Sequence, residues 1–182
     1  MNYRKLGKSG LEVSVIGLGA NNFGGRLDYE SSDSVISQLF DVGINLIDTS
    51  NSYGNTLSEE YIGRSLEGRR EKAVIATKVS SRMSEGPNQA GNSRKHIIEQ
   101  LENSLDRLRT DYIDLYQIHW WDSSTPIEET LRTLDDLVTQ AKVHYKKLDK
   151  VLTVDLFKFN NMVSDAAVPA VMIVPSKMIK ER

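Results

Sequence analysis

The 182-residue chain has no cysteine. This excludes disulfides and thiolate metal sites and is compatible with a reducing cytoplasm; no metal site is expected. Charge of one sign is not in excess either: the net charge is −2, which gives no case for nucleic acid or an anionic membrane surface as a partner. No apolar run approaches the roughly 20 residues that span a bilayer. The start, Met1-Asn2-Tyr3-Arg4-Lys5, leads into strand-like sequence without a signal-peptide core. What is present is ordinary for a globular protein, with 39% hydrophobic and 26% charged residues. The length suits one domain with a sizeable core.

The most informative stretch is Leu46-Ile47-Asp48-Thr49-Ser50-Asn51-Ser52-Tyr53-Gly54. It reads as a short apolar strand ending at an acid, then a loop carrying a tyrosine. Two later runs end similarly: Ala73-Val74-Ile75-Ala76-Thr77 stops at Lys78, and Ile113-Asp114-Leu115-Tyr116-Gln117-Ile118 stops at His119. Parallel strands in one sheet would share their C-terminal edge, so Asp48, Tyr53, Lys78 and His119 would converge there. A phenol ordinarily ionises near pH 10 and is a poor acid at neutrality, but an ammonium beside it favours the ionised form. A carboxylate would hold that ammonium in place, and an imidazole could orient a carbonyl oxygen. Tyr53 could then protonate a carbonyl oxygen as hydride reaches its carbon. None of the four side chains supplies hydride, so a nicotinamide cofactor is implied. Each residue alone has a plainer reading: Asp48 a turn or capping residue, Lys78 a solvated charge, Tyr53 a half-buried loop aromatic, His119 a structural histidine. Their occurrence in order is what favours a site.

Alternation of elements gives the fold class. Tyr3–Leu6 and Leu11–Val15 flank a glycine-bearing turn, a hairpin signature. Val15–Gly19 reads as a first sheet strand, whose glycines serve either a bend or close approach by a ligand. It lacks the spacing of a dinucleotide-binding glycine loop, so no Rossmann fold is expected. Ser31 or Ser32 is expected to cap a helix reaching about Asp41. Strand 46–48, a helix over about 57–66 and strand 73–78 follow. Ser93 is expected to cap a helix to about Leu108, on which His96 is a surface residue. After strand 113–118, Thr125-Pro126-Ile127-Glu128 starts a helix ending near Gln140, and Lys142–Tyr145 is expected to be a fifth strand. Trp120 and Trp121 either line a pocket or pack. This is the βαβ pattern of a parallel sheet.

These residues resemble the aldo-keto reductases. The resemblance rests on Gly17-Leu18-Gly19, on Gly43–Thr49 with Tyr53, on Thr77-Lys78, and on Asp114–His119. Leu6–Leu11 and Ser93–Glu99 are most similar to the branch that includes the potassium-channel β subunits. The resemblance implies an α/β fold, a partial (β/α)8 TIM-type barrel of about four to five βα units with an N-terminal β-hairpin. It implies NADPH-dependent reduction of aldehydes or ketones, with NADP(H) as cofactor and a small carbonyl compound as substrate, sugar-like or an aliphatic or aromatic aldehyde. Tyr53 would be the general acid, Lys78 its activator, Asp48 the partner of Lys78, and His119 the carbonyl-orienting group. Ala20, Asn21 and Arg26 match by position, though not by residue type, cofactor contacts of the channel-subunit branch, together with Asp48.

The resemblance covers roughly residues 1–145 and leaves 146–182 as a divergent tail of unknown role, in which Val151–Phe159 could be a strand. A closed barrel takes about 250 residues, so the chain is expected to be truncated or rearranged. An open half-barrel exposes strand edges, which a second copy or the tail would cover, and self-association is the expectation. The alternative to catalysis is a regulatory or interaction subunit, or an inactive fragment, that keeps the reductase scaffold.

Overall fold

The computed structural model describes residues 1–145 and Val171–Pro175. β1 (Tyr3–Lys5) and β2 (Glu12–Ser14) form the expected antiparallel hairpin. The main sheet has five strands in the order β3 (Gly17–Gly19), β4 (Leu46–Asp48), β5 (Val74–Val79), β6 (Tyr112–Ile118) and β7 (Val171–Pro175). The first four are parallel, joined by α1 (Tyr29–Asp41), α2 (Leu57–Ser65) and α3 (Arg94–Arg107); α4 (Ile127–Tyr145) follows β6. Among the described residues this makes four βα units of a partial barrel.

Alternation along the strands, interrupted in β6 by an irregularity between Ile113 and Tyr116, separates two apolar layers. Ile47, Ile75, Val79 and Ile113 point to the helices and meet Ile36, Ile62, Leu66, Ile97, Leu101 and Leu134. The opposite, inner face carries Leu46, Val74, Ala76 and Leu115, which pack with Val13, Leu6 and Leu11 of the hairpin. The hairpin therefore plugs the inner face at one end of the strands. Asn45 fastens it: its side chain accepts from Ser14 N–H at 2.8 Å and donates to the Glu12 carbonyl at 3.0 Å.

Caps set the helix starts. Asp28, rather than Ser31 or Ser32, caps α1, accepting the Ser31 N–H at 2.9 Å. An acid there also complements the positive end of the helix. Ser93 caps α3 as expected. Two features differ from expectation. Lys142–Tyr145 is not a strand, because α4 continues through it to Tyr145. Leu134, Leu137 and Val138 keep a helical period, and no glycine or proline follows to stop it before Pro169. Beyond that helix, β7 pairs antiparallel with β6, with Ile113 opposite Val174 and Gln117 opposite Val171. The strand suggested over Val151–Phe159 lies outside the described residues.

His96 is the second correction among side chains: it is fully buried, not on the surface. Its Nε2 faces the Ser81 carbonyl at 3.2 Å and so carries the hydrogen, while buried Nδ1 has no partner among the described residues. Burial pushes its pKa below the usual histidine value, and the Ser81 carbonyl opposes this in part. The folded state thus keeps His96 neutral where the unfolded chain, titrating near pH 6.5, takes up a proton. The unfolded state binds more protons below that pH, so stability must fall as pH drops. Melting temperature is expected to decline from pH 7 toward pH 5, and less steeply in His96→Gln. Thermal melts of both proteins across this range check it; parallel slopes would exclude His96 as the cause.

Candidate active site

The inner face continues beyond its apolar layer into polar residues. Asp48 lies two residues after Leu46, Lys78 two after Ala76, and His119 two after Gln117, so all three share the inward side at the C-terminal ends of β4, β5 and β6. The parallel registers make this one edge: Asp48 pairs with Ala76, and Lys78 with Gln117. In a barrel of this kind that is the end where ligand chemistry is built.

The four expected residues meet there. Lys78 Nζ forms an ion pair with Asp48 Oδ1 and donates to the Thr49 carbonyl at 2.8 Å. It lies 3.4 Å from Tyr53 Oη and 4.9 Å from the Tyr53 ring centre. The Tyr53 ring stands edge-on to His119, with centroids 5.7 Å apart. One ammonium thus holds a carboxylate and a phenol, and the imidazole borders the phenol.

The Tyr53 loop is fixed by close contact. Gly54 has φ +57°, and a Cβ there would lie 2.2 Å from the Phe23 carbonyl oxygen. Only glycine fits such an approach without strain, and it presses the 49–56 loop onto the loop after β3. Beneath, the Thr49 and Ser58 hydroxyls bond at 2.9 Å, and Ser58 donates to the Ala20 carbonyl at 2.8 Å.

His119 Nδ1 lies 3.3 Å from Ser50 Oγ, and its ring stacks on Trp120 at 4.6 Å. Burial, then the Lys78 charge, push its pKa down, with Asp48 opposing; the imidazole is neutral at neutral pH. Trp120 and Trp121 are both exposed. Their loop is pinned by Asp122, which accepts from the Ser124 and Thr125 hydroxyls and from Asn92 N–H. These donors, the Ser124 hydroxyl first, hold its carboxyl well below the usual range. A groove of about 410 Å³ runs beside Trp120, Trp121, Ser80 and Arg82. A larger one, about 620 Å³, lies by Arg70, Arg109 and Tyr112 at the opposite strand ends, away from the four residues.

The residues matched by position to cofactor contacts are placed differently. Ala20 is fully buried, its N–H bonded to the Asp48 carbonyl at 2.8 Å and its carbonyl taken by Ser58. Asn21 and Arg26 are exposed on the loop after β3. Sequence reasoning missed Gln117. Its Oε1 is buried without a partner among the described residues, beside Lys78 in the strand register. The missed signal was parity: Gln117 shares the inward set with His119.

Residues 15–146 match the Aldo/keto reductase family. The chain belongs to that family. Aldo-keto reductase YhdN of Bacillus subtilis (strain 168) is 40% identical over 149 residues, which is 79% of this chain and 45% of that protein. A probable voltage-gated potassium channel subunit beta of Arabidopsis thaliana is 42% identical over 149 residues, 80% of this chain and 45% of the relative. Aryl-alcohol dehydrogenase [NADP(+)] of Phanerodontia chrysosporium is 38% identical over 155 residues, 75% and 40% respectively. Among solved structures, the holo form of aldo-keto reductase AKR11C1 from Bacillus halodurans superposes with TM-score 0.70 at 37% identity, covering 77% of this chain and 47% of the other. The chain thus spans about half the length of the curated relatives it matches. The aldo-keto reductase assignment agrees with the parallel sheet, the hairpin plug and the strand-end position of the four residues.

Proposed function

We propose that the protein acts in NADP(H)-dependent reduction of small aldehydes or ketones, with Tyr53 as proton donor. The observation that carries this reading is Lys78 Nζ, which joins the Asp48 carboxylate and lies 3.4 Å from Tyr53 Oη. Lys78 stabilises the phenolate left after Tyr53 releases its proton to the carbonyl oxygen. Asp48 pairs with Lys78 and holds it in position. Neutral His119 donates a hydrogen bond that orients the same oxygen.

The residues present fit the nicotinamide end of the cofactor. Gln117 Oε1, buried and without a partner among the described residues, is an acceptor that a carboxamide N–H would satisfy. Asp48 adds a carboxylate at the same strand edge, and Asn21 and Arg26 are exposed polar side chains on the loop that Ala20 anchors. A bound nicotinamide supplies hydride. Arg26 is the one basic side chain in the loop between β3 and α1, whereas tight phosphate binding rests on several charge-assisted bonds. NADPH is therefore expected to bind this chain more weakly than it binds full-length aldo-keto reductases.

Fluorescence titration with NADPH, run beside steady-state turnover of an aldehyde panel, tests the reading. Saturable binding with turnover above the protein-free rate supports it. Absence of both at millimolar NADPH would overturn it. A second reading, a non-catalytic subunit on the same scaffold, is favoured by the similarity to a channel β subunit; NADPH binding without turnover would select it.

A further inference from the structure

The site extends inward through a buried polar chain. Ser50, Asn51 and Gln100 are almost wholly enclosed. Ser50 Oγ lies 3.3 Å from His119 Nδ1, 3.3 Å from Asn51 Oδ1 and 3.3 Å from Ser52 Oγ, and it accepts the Ser52 N–H at 3.4 Å. Asn51 in turn donates from Nδ2 to Gln100 Oε1 on α3 at 3.2 Å, and its backbone N–H meets the Lys78 carbonyl at 3.3 Å. The histidine beside the tyrosine is thus tied through one hydroxyl to the loop, to α3 and to the backbone of Lys78.

A serine hydroxyl has one proton to give, and a neutral imidazole has one N–H. The Ser50 proton can go to Asn51, Ser52 or an unprotonated Nδ1. Its choice decides the histidine tautomer. If Ser50 donates to Nδ1, the ring hydrogen sits on Nε2, the nitrogen left free to meet a carbonyl. If Ser50 gives its proton to Asn51, it accepts from Nδ1–H, and Nε2 becomes an acceptor that would repel a carbonyl oxygen. Among the described residues, Ser50 is the hydrogen-bond partner of the His119 ring. No second group there sets the tautomer.

We propose that Ser50 is a positioning residue that donates its hydroxyl to His119 Nδ1 and so holds the imidazole in the Nε2–H tautomer that a carbonyl acceptor requires. Asn51, anchored by Gln100, competes for the same proton and tunes how firmly that tautomer is held. The proposal rests on the carbonyl-orienting role given to His119 above, and adds the residue that makes the role chemically available.

Nitrogen-15 NMR of the full chain, labelled at histidine, reads the tautomer without turnover. Three histidines are present, His96, His119 and His144, and loss of one set of signals in His119→Gln assigns the site. At pH 7.5 the wild type is expected to show Nδ1 unprotonated and Nε2 protonated. Ser50→Ala should weaken that preference roughly fivefold to tenfold, the value of one ordinary hydrogen bond. Ser50→Thr, which retains the hydroxyl, should restore it. If Ser50→Ala does not fold, Ser50→Cys, a near-isostere with a weaker donor, should give an intermediate tautomer ratio. Protonated Nδ1 in the wild type, or an unchanged ratio in the Ala or Cys variant, would overturn the proposal. Absence of carbonyl reduction beside the expected tautomer result would overturn the reductase reading and leave the Ser50–His119 coupling standing.

Discussion

If the chain reduces carbonyls as proposed, Tyr53→Phe is expected to lower that rate by about 10²- to 10⁴-fold, the usual worth of a positioned general acid. The phenolic hydroxyl is all that the substitution removes. Phenylalanine retains the ring that stands edge-on to His119 at 5.7 Å. Lys78 loses one long contact of 3.4 Å and keeps both Asp48 and the Thr49 carbonyl. No buried charge is stranded, so stability should change by no more than about 0.5 kcal/mol. The fall should appear in kcat, because the proton moves in the transition state and contributes little to ground-state binding. Steady-state kinetics beside a thermal melt separate the two effects. An unchanged rate removes Tyr53 from the chemistry. A collapsed melt would mean that the hydroxyl is structural.

The same geometry explains why the site was legible in sequence. Asp48, Lys78 and His119 lie at or beside the C-terminal ends of their strands and keep the parity of an inward residue two positions before, Leu46, Ala76 and Gln117 respectively. A two-residue period plus a shared sheet edge suffices to bring them together, and Tyr53 follows β4 by a loop too short to leave. Local signals also gave the hairpin and the Ser93 cap. What failed was long-range or lacked a local marker. The end of α4 carries no breaker, so the amphipathic helix continues where a fifth strand was expected. β7 has five residues and arrives from far along the chain, and its antiparallel pairing breaks the βα rhythm on which the sequence reading relied. His96 sits one residue before Ile97 on α3 and, with Gln100 and Ser104, forms a polar row at four-residue spacing beside the apolar stripe. Such a row looks solvated until the loop at Ser81 and the Asn51 side chain are seen to cover it.

The largest stability effect is expected from a pair that sequence could not bring together. Glu59 on α2 is fully buried, yet its carboxylate accepts from Thr77 Oγ1 at 2.5 Å and from Arg107 Nε at 2.7 Å. Thr77 and Lys78 are adjacent on β5, so this pair braces the strand that carries the candidate site's lysine. Gly63, one turn along α2, lets the two helices approach so closely that a Cβ there would lie 2.4 Å from the Arg107 carbonyl oxygen. Arg107→Leu removes the cation and leaves an enclosed carboxylate with one hydroxyl partner. Breaking a buried ion pair in this way costs about 3–5 kcal/mol. At 2–4 °C per kcal/mol for a chain of this size, melting should fall by roughly 6–20 °C. Adding Glu59→Gln to Arg107→Leu should recover much of that loss, because the neutral amide still bonds Thr77 and no charge is stranded. Melting curves of the wild type, the single variants and the double variant form the cycle that measures the coupling. A double variant no more stable than Arg107→Leu would show that the arginine acts through packing of its stem rather than by neutralising Glu59. If the stranded carboxylate does pull Thr77 out of place, the loss should also reach Lys78 and reduce turnover in Arg107→Leu, while the double variant turns over at close to the wild-type rate.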